Sequence, residues 1–156
     1  MPTKLSDHFT LEELSRSDTA LRLGLDNRPP AHVQASLILL CRKILEPIRA
    51  NFGGPLTINS GYRSPEVNAR VGSGPTSQHV KGEAADIESP HVSNYDLARW
   101  IAANLDFDQV ILECYTPGQP SSGWVHVSHR ATNNRKELLT AHRVNDKMTY
   151  TPGLLA

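Results

Sequence analysis

The stretch Ser77-Gln78-His79-Val80-Lys81-Gly82-Glu83-Ala84-Ala85-Asp86 places an imidazole and a carboxylate seven positions apart across a glycine. The apolar run Trp124-Val125-His126-Val127-Ser128 supplies a second imidazole. Two histidines and one aspartate are ligands that zinc accepts, and a catalytic zinc keeps its fourth position for water. If His79, Asp86 and His126 hold one ion, the fold has to bring residue 126 back beside residues 79 and 86. No other feature constrains it as tightly. Spacing alone does not establish such a site, because the chain has seven histidines and His/Asp spacings recur by chance.

The 156 residues suit one domain, 1–156, with a single core. A hydrophobic share of 38% and a charged share of 21% fit a globular protein rather than a disordered one. Sixteen basic residues balance sixteen acidic ones, so no global charge points to nucleic acid. The segment 129–147 is locally basic, with Arg130, Arg135, Lys136, Arg143 and Lys147. It reads first as a solvated face, and second as a contact for an anionic polymer. Cys41 and Cys114 lie in apolar runs and read as buried free thiols. No run approaches the roughly 20 apolar residues that span a bilayer. The polar N-terminus shows no signal-peptide core. Synthesis in the cytoplasm is therefore expected, with a separate device to carry the chain to any substrate outside it.

Local signals set the elements. Thr10 with Glu13 forms a capping-box start, and Phe9 with Leu14 a hydrophobic staple. Val33, Leu37, Leu40, Cys41, Ile44, Leu45 and Ile48 recur at helical steps, which predicts a long scaffold helix starting near Pro30. Pro47 is expected to kink or end it, and Gly53-Gly54-Pro55 to stop it. Residues 56–59 and 84–87 read as strands, and Ser64 and Ser93 as helix caps. Residues 109–115 and 123–128 read as a hairpin, with two short strands around Asn145-Asp146. The expected fold is α+β: a small antiparallel sheet with helices packed mainly on one face and the zinc site on the sheet.

Ser77, His79, Gly82, Ala84 and Asp86 fit the pattern S-x-H-x-x-G-x-A-x-D. With Ser60-Gly61-Tyr62-Arg63-Ser64 upstream and Trp124-Val125-His126 downstream, the chain resembles the M15 family of zinc peptidases. The matches span residues 60 to 128. The resemblance implies one zinc per chain, held by His79, Asp86 and His126. It also implies cleavage of peptidoglycan stem peptides at bonds involving D-amino acids, as in D-Ala-D-Ala carboxypeptidases and L-Ala-D-Glu endopeptidases. By the same resemblance Arg63 contacts the substrate carbonyl or its developing oxyanion, and Ser77 orients substrate or the adjacent histidine. The region Phe9 to Leu14 resembles phage endolysin-like members. That implies a monomer acting in the periplasm or wall, after holin-type release or as a virion component.

One departure stands out. Many M15 relatives carry an acidic base three residues before the last histidine, and here Gly123 stands there. Glu113 is the chosen substitute, ahead of Glu88, Glu83 and Asp108. If Glu113 lies opposite His126 in the hairpin, then Ile111, Glu113, Trp124 and His126 share one face. Trp124 then lines the substrate groove or packs in the core. Two other readings compete. A non-haem iron oxygenase also uses two histidines and a carboxylate, but usually at tighter spacing. A wall-binding or virion structural module with a stabilising zinc site would need no base.

Overall fold

The computed structural model describes residues 2–155. Thr10 Oγ1 accepts from the Glu13 N–H at 3.2 Å and starts α1 (Leu11–Ser15). That bond satisfies one of the donors a helix start leaves free. Ser17 caps α2 (Asp18–Leu23) in the same way. The apolar stripe then forms one continuous helical run: α3 (Ala31–Leu40), a π turn (Cys41–Leu45) and α4 (Glu46–Phe52). All seven stripe residues are buried.

Of the two expected outcomes at Pro47, a kink or an end, the end does not occur: the run continues through a π turn just ahead of the proline. The Glu46 N–H bonds to the Cys41 carbonyl, five residues back. This wide turn comes just before a residue that lacks an N–H and whose ring crowds a carbonyl in a regular helix. Cys41 is buried inside the turn, and burial, followed by Glu46 and Glu13, pushes its thiol up to about 12. Cys114 is also free but only half-buried, at a strand end with φ 56°.

Six strands follow: β1 (Thr57–Ser60), β2 (Ala84–Glu88), β3 (Gln109–Glu113), β4 (Trp124–Ser128), β5 (Glu137–Val144) and β6 (Lys147–Pro152). Their order in one sheet is β1-β2-β4-β3-β5-β6. The sheet is mixed, which corrects the antiparallel expectation. β3 and β5 pair in parallel, from Gln109 with Glu137 to Glu113 with Ala141. The cause lies in the path after β4. Ser128 ends beside Gln109, and residues 129–136 carry the chain across that end of β3. β5 thus begins where β3 begins and runs beside it. The β5–β6 turn is at Asn145-Asp146 as expected, both with positive φ (51° and 62°), the conformation of a tight hairpin turn.

Side chains alternate across a strand. Ala85, Ile87, Val110, Leu112, Val125 and Val127 join the stripe residues in the core, with Leu97, Ala98 and Ile101 of α6 (Asn94–Asn104). The intervening Asp86, Ile111, Glu113, Trp124 and His126 line a cleft instead. Ser64 caps α5 (Pro65–Arg70), which holds the loop after β1. Among the described residues, no helix is long and apolar enough to cross a membrane.

The connection into β5 is tied down by charge. The Asp108 carboxylate is buried, and it accepts from Arg135 Nη2 at 2.8 Å, Nε at 3.1 Å and the backbone N–H at 3.0 Å. Burial opposes its ionisation, but the hydrogen bonds and charge of Arg135 hold it below the usual carboxylate range. A depressed folded value stabilises the fold above the unfolded value of about 3.9, and this is lost as pH falls through the folded value. Arg135→Ala should therefore cost about 1–2 kcal/mol at pH 7, less than the loss of a fully buried pair because the guanidinium is half exposed and the backbone N–H still bonds the carboxylate. Urea denaturation should show the gap closing below about pH 4. Equal stability at both pH values would mean that the pair contributes nothing.

Candidate active site

The loop ahead of β2 is a series of tight turns, with Val80, Lys81 and Gly82 N–H groups bonding to Ser77, Gln78 and His79 carbonyls. Gly82 has φ +71°, and a Cβ there would sit 2.7 Å from the Val33 carbonyl, so only glycine passes over α3. Ser77 Oγ accepts from the His79 N–H at 3.2 Å. His79 Nδ1 lies 2.7 Å from the Gly61 carbonyl oxygen. A carbonyl only accepts, so Nδ1 carries the proton and Nε2 of the neutral ring is a bare lone pair.

Nε2 is 3.4 Å from Asp86 Oδ1, and His126 Nδ1 is 3.1 Å from the same oxygen. Asp86 and His126 are direct partners across β2 and β4. Ligand atoms of all three residues lie within 4.8 Å of one another. Four tetrahedral ligands with bonds near 2.0–2.1 Å stand about 3.3 Å apart. The spacing therefore fits zinc. The His79 tautomer fits as well, since a ligating histidine usually gives its other N–H to a carbonyl or carboxylate. A bare Nε2 facing a carboxylate oxygen also needs a proton or a cation between them. Burial opposes ionisation of Asp86, but positive charge and donated hydrogen bonds from protonated His79 and His126 outweigh it and hold the carboxyl well below its usual range, and a bound cation would supply that charge to neutral rings.

Glu113 is not opposite His126. Ile111 pairs with His126, and Glu113 pairs with Trp124. The register is two residues away from the expected one, and an even shift preserves the face. Glu113 is thus diagonal to His126, a separation of about 7–8 Å between Cβ atoms that long side chains bridge. Trp124 Nε1–H donates to Glu113 Oε2 at 3.0 Å. Burial and then the Asp86 charge raise the Glu113 carboxyl above its usual value, opposed by His126, Trp124 and Arg63. Gly123 has φ +66°, and a Cβ there would meet the Glu113 carbonyl oxygen at 2.0 Å. No acidic side chain fits at that position.

The other acidic candidates are engaged. Glu88 accepts from Asn59 and Asn94 and does not line the cleft. Asp108 is held by Arg135, and Glu83 accepts from Gln78 at 3.3 Å. Arg63 is half-buried, its backbone N–H bonds to the His79 carbonyl, and its Nε has no partner among the described residues. Burial lowers its pKa, while Asp86 and Glu113 oppose that shift. Arg63, Ser77, His79, Asp86, Glu113, Trp124 and His126 line one cleft of about 670 Å³. Tyr150, Arg130 and Arg135 line it too, and sequence reasoning did not place them there. Only the basic character of segment 129–147 hinted at the two arginines.

Residues 7–128 match the model of the family described as Peptidase M15. The chain belongs to the peptidase M15 family. The zinc D-Ala-D-Ala carboxypeptidase of Streptomyces albus G is 31% identical to it over 114 residues, covering 72% of this chain and 42% of that protein. The chain thus spans less than half of that relative's length. The M15 match takes in Arg63 and all three candidate ligands, but it ends at residue 128. Arg130, Arg135 and Tyr150 therefore come to the cleft from outside the matched region.

Proposed function

We propose that this M15 chain is a zinc-dependent peptidase that hydrolyses a peptide bond in bacterial wall stem peptides or cross-links. The observation that carries the reading is the shared position of Asp86 Oδ1, 3.4 Å from His79 Nε2 and 3.1 Å from His126 Nδ1, inside a cleft that also contains Glu113 and Arg63. His79, Asp86 and His126 would hold one zinc per chain. Bound zinc supplies a Lewis acid that activates water and polarises a carbonyl. The name of the Streptomyces relative supports a bond between D-amino acids.

Glu113 takes the proton of the attacking water and returns it to the leaving amine nitrogen. Trp124 fixes one carboxylate oxygen and leaves Oε1 for the reaction. The raised pKa suits an acid–base role near neutrality. Arg63 directs a fixed positive charge at the developing oxyanion, and its unpartnered Nε supports that role. Ser77 steadies the His79 backbone, and Trp124 also forms a wall of the groove. Residues 1–156 act as one monomeric domain, with helices on the sheet face opposite the cleft. The biological setting proposed is phage-type lysis, after holin release or from a virion.

Zinc-loaded protein incubated with purified sacculi should release muropeptides whose masses identify the bond cut. Binding to sacculi without any product would favour a non-catalytic wall-binding module. Arg63→Ala should keep zinc and fold while lowering kcat/KM, by roughly 10²–10³ if it acts as an oxyanion donor. Arg63→Lys should recover only part, because an ammonium lacks the guanidinium fork. Full activity in both variants would remove Arg63 from the chemistry.

A further inference from the structure

The cleft has two unlike ends. Trp124 and Glu113 face each other at one, while Ala84, Ser128 and Gln109 are aligned at the other. Lys81 enters just before β2, and Arg130 leaves just after β4, so both belong to the second end. Two acids also line it, of which only Asp108 is neutralised by a cation. Asp108 is saturated by Arg135, and Glu83 accepts from Gln78. Among the described residues, neither Lys81 nor Arg130 has a carboxylate within 4.0 Å. Two cations with no ion pair among the described residues therefore stand at one end of the cleft against one such carboxylate, Glu83, while Glu113 lies at the other.

The loop carrying Arg130 is held in place. The Arg130 N–H bonds to Asn134 Oδ1 at 2.8 Å, and Asn134 Nδ2 returns a bond to the Arg130 carbonyl at 2.9 Å. Arg135 then anchors the loop to Asp108. The backbone is fixed while the Arg130 guanidinium is left exposed and unpaired. The row holding Gln109 lies two residues along β3 from the row holding His126. That is about 6.8 Å, the span of roughly two extended residues.

We infer that Lys81 and Arg130 form an anion subsite for a substrate carboxylate on the Gln109 side of the metal group. The inference rests on the peptidase reading and deepens it. A carboxylate bound there fixes which bond of an acidic stem peptide reaches the metal group. It comes from one of two sources with the same chemistry: the free α-carboxyl of a γ-linked D-glutamate, or the C-terminus of the peptide. The first suits an endopeptidase and the second a carboxypeptidase.

The test is calorimetric binding to the zinc-loaded protein of three probes: L-Ala-γ-D-Glu-L-Lys-D-Ala-D-Ala, its D-glutamate α-amide and its C-terminal amide. One amidation should weaken binding about tenfold, the usual scale for a charged hydrogen bond. Which one does so identifies the source. The double variant Lys81→Ala, Arg130→Ala should keep its zinc and its Tm but lose the discrimination, which a merely structural role would not remove. Equal discrimination in parent and double variant, or none in the parent, overturns the subsite alone. Failure of the parent to bind or cleave any probe overturns the peptidase reading together with it.

Discussion

Glu113→Gln is expected to bind zinc as the parent does, to melt at nearly the same temperature and to turn over on the order of 10²–10⁴-fold more slowly. The amide keeps the size of the carboxylate, and its oxygen still accepts from Trp124 Nε1, but it cannot take a proton from water. In the parent, burial and Asp86 raise the Glu113 carboxyl above its usual value. Turnover should therefore fall as pH drops through that raised value, because the protonated acid cannot act as base. The acidic limb should change in the variant. Glu88→Gln is the control, since Glu88 bonds to Asn59 and Asn94 away from the cleft. If the control abolishes turnover and Glu113→Gln does not, the base lies elsewhere on the Asp86 strand or its flank.

His79→Ala should be at least as severe by a different route. It removes one of the three candidate ligands and frees the Gly61 carbonyl that holds the ring. Loss of an outer-sphere partner alone typically costs about 10–100-fold in metal affinity, so loss of a direct ligand should exceed that. Zinc content after dialysis should fall well below one per chain, and turnover should fall with it. A variant that retains both would exclude His79 from the site.

Much of this was legible because the deciding signals are local. Thr10, Ser64 and Ser93 each accept from a nearby N–H and start a helix where their sequence context suggested. The Asn145-Asp146 pair adopts the backbone that its residue types tolerate. The convergence of His79, Asp86 and His126 was expected from the resemblance of their motifs to the M15 pattern; the pairing of β2 with β4 aligns Asp86 with His126, and the Gly61 carbonyl holds the His79 ring. What local sequence does not encode is the side on which a chain passes a strand. The parallel β5 depended on that choice, and with it the arrival of Arg130, Arg135 and Tyr150 at the cleft. The β3–β4 register also escaped, because residues 114–123 form a longer connection with its own Thr116–Gln119 bridge. The face of Glu113 survived that error only because the shift was even. Whether Pro47 would kink or end the run was left open by the sequence, because the π turn that absorbs it has no simple sequence signature.

The most direct measurement is a zinc titration of chelator-treated protein, with stem-peptide cleavage followed by mass spectrometry at each addition. No fragment should appear without metal. Cleavage should then rise linearly and level off at about one zinc per chain, as expected for three protein ligands with an open fourth position. Undiminished cleavage in the metal-free protein, or a full zinc site that releases no fragment, would contradict a zinc-dependent peptidase built on His79, Asp86 and His126.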